Sequence, residues 1–106
     1  MGLFDVFKRG DINTGVEEFR ATAGAVLLDV RSRGEYAQGH ISGSCNIDVA
    51  NIHTAPQVLK DKNAPLFVYC YSGARSGQAV AALKKMGYSN VTNIGGIAAY
   101  RGKVER

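Results

Sequence analysis

Apolar residues along this chain follow two patterns, short continuous runs and runs with a spacing of three or four. Continuous runs are typical of parallel strands buried on both faces, whereas the three-and-four spacing marks the buried face of an amphipathic helix. The continuous runs predict strands at residues 25–30, 45–49, 66–69 and 91–94. Because helical segments separate these strands, the sequence predicts an α/β fold with a mainly parallel sheet.

Helices are predicted between the strands. Thr14 and Glu17 form a capping-box pattern at the start of a first helix. That helix would bury Val16, Phe19 and Ala23. Two shorter helical segments are expected at residues 34–38 and 55–60, the second beginning near Pro56. After the last strand, Gly95 and Gly96 indicate a turn.

The strand at residues 66–69 stops at Cys70, and the chain then turns directly into a helix. The buried face of this helix consists of Ala79, Val80, Leu83 and Met86, and Gly87 closes it. Cys70 is therefore expected at a helix N-terminus, where free N–H groups and the helix dipole lower the pKa of a thiol. It also lies at the carboxyl end of a parallel strand, where α/β sheets bind ligands. The pattern predicts a thiolate nucleophile.

Composition indicates one ordinary domain. The chain has 106 residues, and its 13 Lys and Arg against 9 Asp and Glu give a net charge of +4. We expect a single domain over residues 1–106, with residues 1–10 as a loose N-terminal segment. The basic residues are scattered and not interleaved with aromatic residues. They therefore indicate a solvated surface with a mild attraction for anions and no nucleic-acid partner.

The two cysteines, Cys45 and Cys70, are too few for a disulfide framework and lack the paired spacing of a zinc site, so no metal is expected. The sequence shows no apolar leader and no stretch of membrane-spanning length. We therefore expect a cytoplasmic protein with no membrane partner and a reduced thiol. Gly2 belongs to a myristoylation pattern, but Val6 stands where Ser or Thr is needed, so lipidation is not predicted.

Five short motifs follow one another along almost the whole chain. They are LDVR at 28–31 with Glu35 and Tyr36, GHISGS at 39–44 with Asn46 and Ile47, residues 69–76, Gly87 and Tyr88 with Asn90 and Val91, and Gly95 with Gly96 before an aromatic residue. In this order and spacing they resemble the rhodanese (thiosulfate sulfurtransferase) family in its single-domain form. Three residues depart from the family pattern: Asp48 replaces proline, Tyr100 replaces tryptophan and Cys45 replaces an aliphatic residue. None of them lies in residues 70–76, the reactive loop that begins at Cys70.

The resemblance implies a three-layer sandwich with a five-stranded, mainly parallel sheet flanked by helices. It also implies a sulfurtransferase whose nucleophile maps onto Cys70. The cysteine would take sulfane sulfur from thiosulfate or a persulfide donor, hold it as a persulfide, and pass it to cyanide or a thiol acceptor. No cofactor is needed for these steps. A thioredoxin-like or other protein is an alternative acceptor.

The loop after Cys70 is expected to hold the persulfide anion. Its backbone amides can form an anion-binding concavity, in which Gly73 allows close approach. The predicted substrate-binding residues are Tyr71, Ser72, Gly73, Ala74, Arg75 and Ser76. Arg75 is the candidate for attracting an anionic donor. For Ser72 and Ser76, a turn or cap role is an alternative to contact with sulfur.

Two charged residues near the end of the first predicted strand are expected to support the site. Asp29 is placed to brace the loop from the neighbouring strand end. Arg31 has the i,i+4 spacing for an ion pair with Glu35 if that turn is helical.

The remaining candidates receive structural interpretations. His40 lies in a Gly-His-Ile segment that is structural in the resembling family, so a catalytic Cys-His pair is not favoured, and His53 is favoured even less. Cys45 is interpreted as a small apolar strand residue, and the alternative is that it resolves a Cys70 persulfide or sulfenate by forming a disulfide with Cys70.

Three other functions are weighed. A phosphatase of the same fold needs a wider Cys-x5-Arg loop for a tetrahedral phosphate, whereas Cys70 to Arg75 is Cys-x4-Arg, which is better sized for one sulfur. A persulfide carrier that serves a protein partner would use the same loop, so the sequence does not separate it from an enzyme. The presence of Cys70 argues against a binding module that has lost the reaction.

Overall fold

The computed structural model describes residues 11–106. The predicted N-terminal segment at residues 1–10, with its Gly2 pattern, lies outside the described residues. The elements in chain order are α1 (Ile12–Ala21), β1 (Val26–Asp29), α2 (Arg33–Gln38), β2 (His40–Ile41), β3 (Ser44–Asn46), a 3-10 helix (Val49–Thr54), α3 (Ala55–Val58), β4 (Leu66–Cys70), α4 (Ala74–Lys85), β5 (Val91–Gly96), a 3-10 helix (Ile97–Ala99) and β6 (Val104–Glu105). Within residues 11–106, no helix has the length and apolar character needed to cross a bilayer.

The central sheet is parallel throughout and has the strand order β3-β1-β4-β5. Within residues 11–106 the central sheet has four strands, against the five that the resemblance implies, and β2 lies outside it. It pairs instead with β6 in an antiparallel two-stranded sheet, in which His40 lies opposite Glu105. A turn at Gly43, where φ is +91°, separates β2 from β3. The backbone of β2 therefore pairs with β6, near the end of the chain.

Two apolar clusters cover the faces of the central sheet, as alternation along buried strands requires. On one face lie Leu28 and Val68 with Ala79 and Leu83 of α4. On the other lie Leu27 and Phe67 with Ile12 and Val16 of α1. The expected three-layer α/β sandwich is thereby confirmed, with α1 and α4 on opposite faces of the sheet.

The first helix begins earlier than its predicted capping box. Asp11 is the N-cap, and its carboxylate accepts hydrogen bonds from the N–H of Asn13 and from the hydroxyl of Thr14. Thr14 therefore lies inside the helix and donates to the cap, so the predicted start is wrong. The helix ends at Ala21, which leaves Ala23 exposed beyond it.

Two other predicted boundaries also shift. The strand expected at residues 45–49 is β3, which ends at Asn46, because the Asp48 carboxylate accepts from the N–H of Ala50 and starts a 3-10 helix there. The helix expected at residues 55–60 ends at Val58.

The last predicted strand continues through the glycine pair, so the expected turn at Gly95 and Gly96 is wrong. Gly95 pairs with Tyr69, and Gly96 pairs with Cys70. A Cβ atom at Gly96 would overlap the carbonyl oxygen of Tyr71 and the Cα of Ser72. Glycine is required at this position because the loop after Cys70 lies directly on the backbone of β5.

Replacing Gly96 by alanine should lower the free energy of unfolding by about 1 to 3 kcal/mol, because the new methyl group meets backbone atoms that cannot rotate away. Urea unfolding measures this loss. Gly34→Ala is the matched control, since a Cβ there meets nothing within 4 Å in α2, and it should leave stability unchanged or slightly raised. Equal stability of the two variants would contradict the close approach at Gly96.

Candidate active site

Cys70 is the last residue of β4, and only 1% of its surface is exposed. The chain reverses at Gly73, which has φ +107° and is the N-cap of α4. This turn aims the Gly73 N–H at the Cys70 Sγ, at 2.9 Å, and brings the Ser76 hydroxyl to 3.4 Å from the same sulfur. A buried thiol thus lies directly before a helix N-terminus.

Two opposing effects set the pKa of Cys70. Burial raises it, whereas hydrogen bonds from the Ser76 hydroxyl and from the backbone N–H groups of Ser76, Gly73 and Ser72 lower it. The hydrogen bonds prevail, and the pKa lies below its ordinary value. A larger thiolate fraction at neutral pH follows, and the thiolate is the nucleophilic form of cysteine.

Asn93 of β5 holds this loop in place and was not predicted. Its Nδ2 donates to the Gly73 carbonyl at 3.1 Å, and its Oδ1 accepts from the Gly95 N–H at 3.0 Å and from the Ser76 hydroxyl at 2.7 Å. The available signal in the sequence was an amide side chain in the last predicted strand, two residues before the glycine pair.

The buried Ser76 hydroxyl has three acceptors within reach, namely the Cys70 sulfur, the Asn93 amide oxygen and the Gly73 carbonyl at 3.0 Å. A hydroxyl has a single proton to donate, so these acceptors compete. When Cys70 is ionised, the sulfur becomes the charged acceptor of the three, and hydrogen bonds to charged groups are the stronger ones. The hydroxyl can therefore turn toward the sulfur when the thiolate forms.

Arg75 forms a two-point ion pair with Glu35 of α2. Its two terminal nitrogens donate to the two carboxylate oxygens at 2.7 and 3.1 Å. Glu35 also closes a capping box with Ser32, accepting from the Ser32 N–H at 2.9 Å. The hydrogen bond from Arg75 is the main reason that the pKa of Glu35 falls to about 2, so this carboxylate is ionised at neutral pH.

The predicted pair of Arg31 with Glu35 is wrong, because Arg31 binds Asp29. The Arg31 Nη2 lies 2.7 Å from the buried Asp29 carboxylate and also donates to the Gly39 carbonyl at 2.7 Å. Asp29 further accepts from the Arg31 backbone N–H at 2.8 Å. Among the described residues, the Asp29 carboxylate bonds Arg31 and not the reactive loop. The pair therefore holds the turn after β1 to the residue before β2.

The other loop residues face solvent. Tyr71 is 55% exposed, and Ser72 and Ala74 are exposed as well. The Tyr71 carbonyl accepts from the Ala98 N–H at 3.1 Å, which fastens the loop to the segment after β5. The structure thus brings residues 70–76 together around the sulfur through backbone groups and Ser76, and their substrate-binding roles remain predictions.

The histidines are placed in structural or exposed positions. The His40 Nδ1 donates to the Tyr36 carbonyl at 2.8 Å, and the two rings stack with centroids 3.8 Å apart. His53 is exposed in the 3-10 helix. Within residues 11–106, no cluster of three or more His, Cys, Asp or Glu side chains is arranged to hold a metal ion.

Cys45 is half-buried in β3, and burial raises the pKa of its thiol. It lies opposite Leu28, which in turn lies opposite Val68, two residues before Cys70. The two cysteines are thus two strand spacings apart across the sheet and two residues apart along the strand. Their Cα atoms are separated by about 12 Å, whereas a disulfide needs a Cα–Cα distance below about 7 Å. The alternative that Cys45 forms a disulfide with Cys70 is therefore wrong for this backbone.

Comparisons with known proteins agree with this geometry. The family model described as "Rhodanese-like domain" matches residues 14–103. The chain is 39% identical to thiosulfate sulfurtransferase PspE of Escherichia coli (strain K12) over 71 residues, which cover 66% of this chain and 68% of that protein. It is 40% identical to thiosulfate sulfurtransferase GlpE of Pseudomonas fluorescens (strain SBW25), over 69% of this chain and 66% of that one. A solved rhodanese with anions from E. coli superposes with a TM-score of 0.71 at 34% identity, covering 77% of this chain and 98% of that chain.

Removing the Ser76 hydroxyl should raise the pKa of Cys70. In Ser76→Ala, the rate of Cys70 alkylation by iodoacetamide at pH 7 should fall by about tenfold, the low end expected for one lost hydrogen bond to a charged group. The midpoint of the rate-against-pH curve should move upward. Ser72→Ala is the matched control, because Ser72 acts on the sulfur through its backbone N–H, which this change keeps. A Ser76→Ala curve that coincides with the wild-type curve would contradict the role assigned to the hydroxyl.

Proposed function

This chain belongs to the rhodanese-like domain family, and we propose that it is a sulfurtransferase that carries sulfane sulfur on Cys70 as a persulfide. The observation that carries the proposal is the buried Cys70 thiol, whose pKa is lowered by the Ser76 hydroxyl and by N–H groups of the loop. The thiolate form, which a lowered pKa favours, can attack without a separate general base. Sulfurtransferase activity is also what the names of its relatives PspE and GlpE state for those proteins.

The proposed reaction has two displacement steps. The Cys70 thiolate attacks the sulfane sulfur of thiosulfate or of a persulfide donor. The sulfur–sulfur bond of the donor breaks, and sulfite or a thiolate leaves with the electron pair. The terminal sulfur of the new Cys70 persulfide is then attacked by cyanide or a thiol, and Cys70 leaves as a thiolate. The charge and atom balance closes in both steps with no cofactor, in the two-stage pattern of covalent catalysis.

The loop suits the charge movement that these steps require. The negative charge moves from the Cys70 Sγ to the terminal sulfur when the persulfide forms. Backbone N–H groups that converge at a glycine turn are suited to holding such an anion. The Ser76 hydroxyl can return to the Asn93 oxygen at 2.7 Å once the Sγ is no longer charged. The donors around the sulfur therefore have a partner in both states.

A persulfide carrier that delivers sulfur to a thioredoxin-like or other protein is the second candidate. The observation in its favour is that Tyr71, next to the buried Cys70, presents 55% of its surface to solvent beside the loop.

We also propose a cytoplasmic location, because both cysteines are unpaired and the reaction needs a reduced thiol.

A phosphatase of the same fold has weaker support. In addition to the short Cys-x4-Arg spacing, both terminal nitrogens of Arg75 are bonded to Glu35. A phosphate in the loop would have to take the guanidinium from that carboxylate.

Incubation with thiosulfate should add the mass of one sulfur atom to the intact protein, and cyanide or dithiothreitol should remove it, as intact-protein mass spectrometry will show. Cys70→Ser should gain no mass. Cys45→Ser is the matched control and should behave as the wild type. An equal gain in wild type and Cys70→Ser, or no gain in either, would overturn the proposal. Hydrolysis of an aryl phosphate that is lost in Cys70→Ser would favour the phosphatase.

A further inference from the structure

The positive charge of the reactive loop is already paired. Arg75 gives both terminal nitrogens to Glu35, and the side chains of the two residues are only about one-third exposed, at 37% and 34%. The charge of Cys70 also acts on the guanidinium. An anion that approaches the sulfur therefore meets a neutralised pair instead of a bare cation.

A second carboxylate lies within range of the same guanidinium. Asp48 starts the 3-10 helix that packs against α4, and its charge contributes to the raised pKa of Arg75. The charges of Glu35 and Asp48 both act on the Arg75 guanidinium, and Glu35 alone is bonded to it.

Resting on the proposed function, we infer that Glu35 determines donor specificity: its carboxylate disfavours the doubly charged thiosulfate and favours a sulfane-sulfur donor with a single charge, such as the persulfide of a thiol. The repulsion between a donor and the carboxylates scales with the charge of the donor. In the same potential, the unfavourable interaction energy of thiosulfate is therefore twice that of a monoanion of similar size.

The charge of Glu35 is separable from its role in the fold. The capping box with Ser32 needs only an oxygen acceptor on the side chain, and glutamine occupies this position in capping boxes as well as glutamate does. Glu35→Gln therefore keeps the helix start and an oxygen for one hydrogen bond from Arg75, and it removes the negative charge together with the second hydrogen bond from Arg75.

Two donors that differ in charge at an otherwise similar sulfur test the inference. Thiosulfate is a dianion, and methanethiosulfonate is a monoanion in which a methyl group replaces one charged oxygen. In each case, Cys70 forms a bond to the terminal sulfur and the donor's sulfur–sulfur bond breaks. Sulfite leaves from the first donor and methanesulfinate from the second, each with the electron pair.

In Glu35→Gln, KM for thiosulfate should fall by about fivefold and KM for methanethiosulfonate by about twofold, as expected for one partly exposed charge. Steady-state transfer to cyanide measures both values. The difference between the donors should shrink at high salt, because the charges are screened.

Glu17→Gln is the control, since it makes the same change in net charge at an exposed position of α1, on the opposite face of the sheet from α4. It should leave both KM values unchanged.

Two results would overturn the inference and leave the proposed function standing. One is a Glu35→Gln variant whose two KM values change by the same factor or rise, which would reduce Glu35 to a residue that only positions Arg75. The other is an equal effect of Glu17→Gln, which would assign the preference to net charge. Failure of the wild-type protein to transfer sulfur from either donor would overturn the proposed function, and the inference with it.

Discussion

The close approach between the loop after Cys70 and the backbone of β5 is the constraint on which the site depends. The Tyr71 carbonyl and the Ser72 Cα occupy the space that a side chain at Gly96 would fill. Because the loop lies close to β5, Asn93 of β5 reaches the Gly73 carbonyl at 3.1 Å and the Ser76 hydroxyl at 2.7 Å. A loop held farther from β5 would lose these contacts together, since all of them cross the same gap.

The lowered pKa of the Cys70 thiol follows from a balance between burial and directed hydrogen bonds. Burial alone disfavours the thiolate, as the raised pKa of the half-buried Cys45 shows in the same sheet. Cys70 is less exposed to solvent than Cys45, yet the pKa of Cys70 is lowered. The difference is the ring of N–H groups and the Ser76 hydroxyl at the helix start, which Cys45 lacks within its own strand. Position at a strand-to-helix turn therefore decides which cysteine has the lowered pKa.

Two separate ion pairs, Arg31 with Asp29 and Arg75 with Glu35, stabilise different parts of the structure. The buried pair of Arg31 and Asp29 fixes the turn after β1 and reaches the carbonyl of Gly39. The partly exposed pair of Arg75 and Glu35 joins α4 to α2 beside the sulfur. Exchanging partners, as the i,i+4 spacing of Arg31 and Glu35 suggested, would leave Asp29 buried without a counter-charge. The cost of an unpaired buried carboxylate is therefore the physical reason for the observed pairing.

The sequence by itself determined the strands β1, β4 and β5, the helix after the loop and the position of Cys70. Each of these rests on a local pattern: a continuous apolar run for a strand, a three-and-four spacing for a helix, or a cysteine between a strand and the helix that follows it. It also carried the family resemblance, because the motifs keep their order along the chain. Tertiary structure decided the features that depend on residues far apart in sequence. These are the pairing of Arg75 with Glu35, the contact of Asn93 with Ser76, the continuation of β5 through Gly96, and the pairing of β2 with β6 outside the central sheet. Local spacing does not encode them, because each is selected by which groups the packed sheet brings within hydrogen-bonding distance.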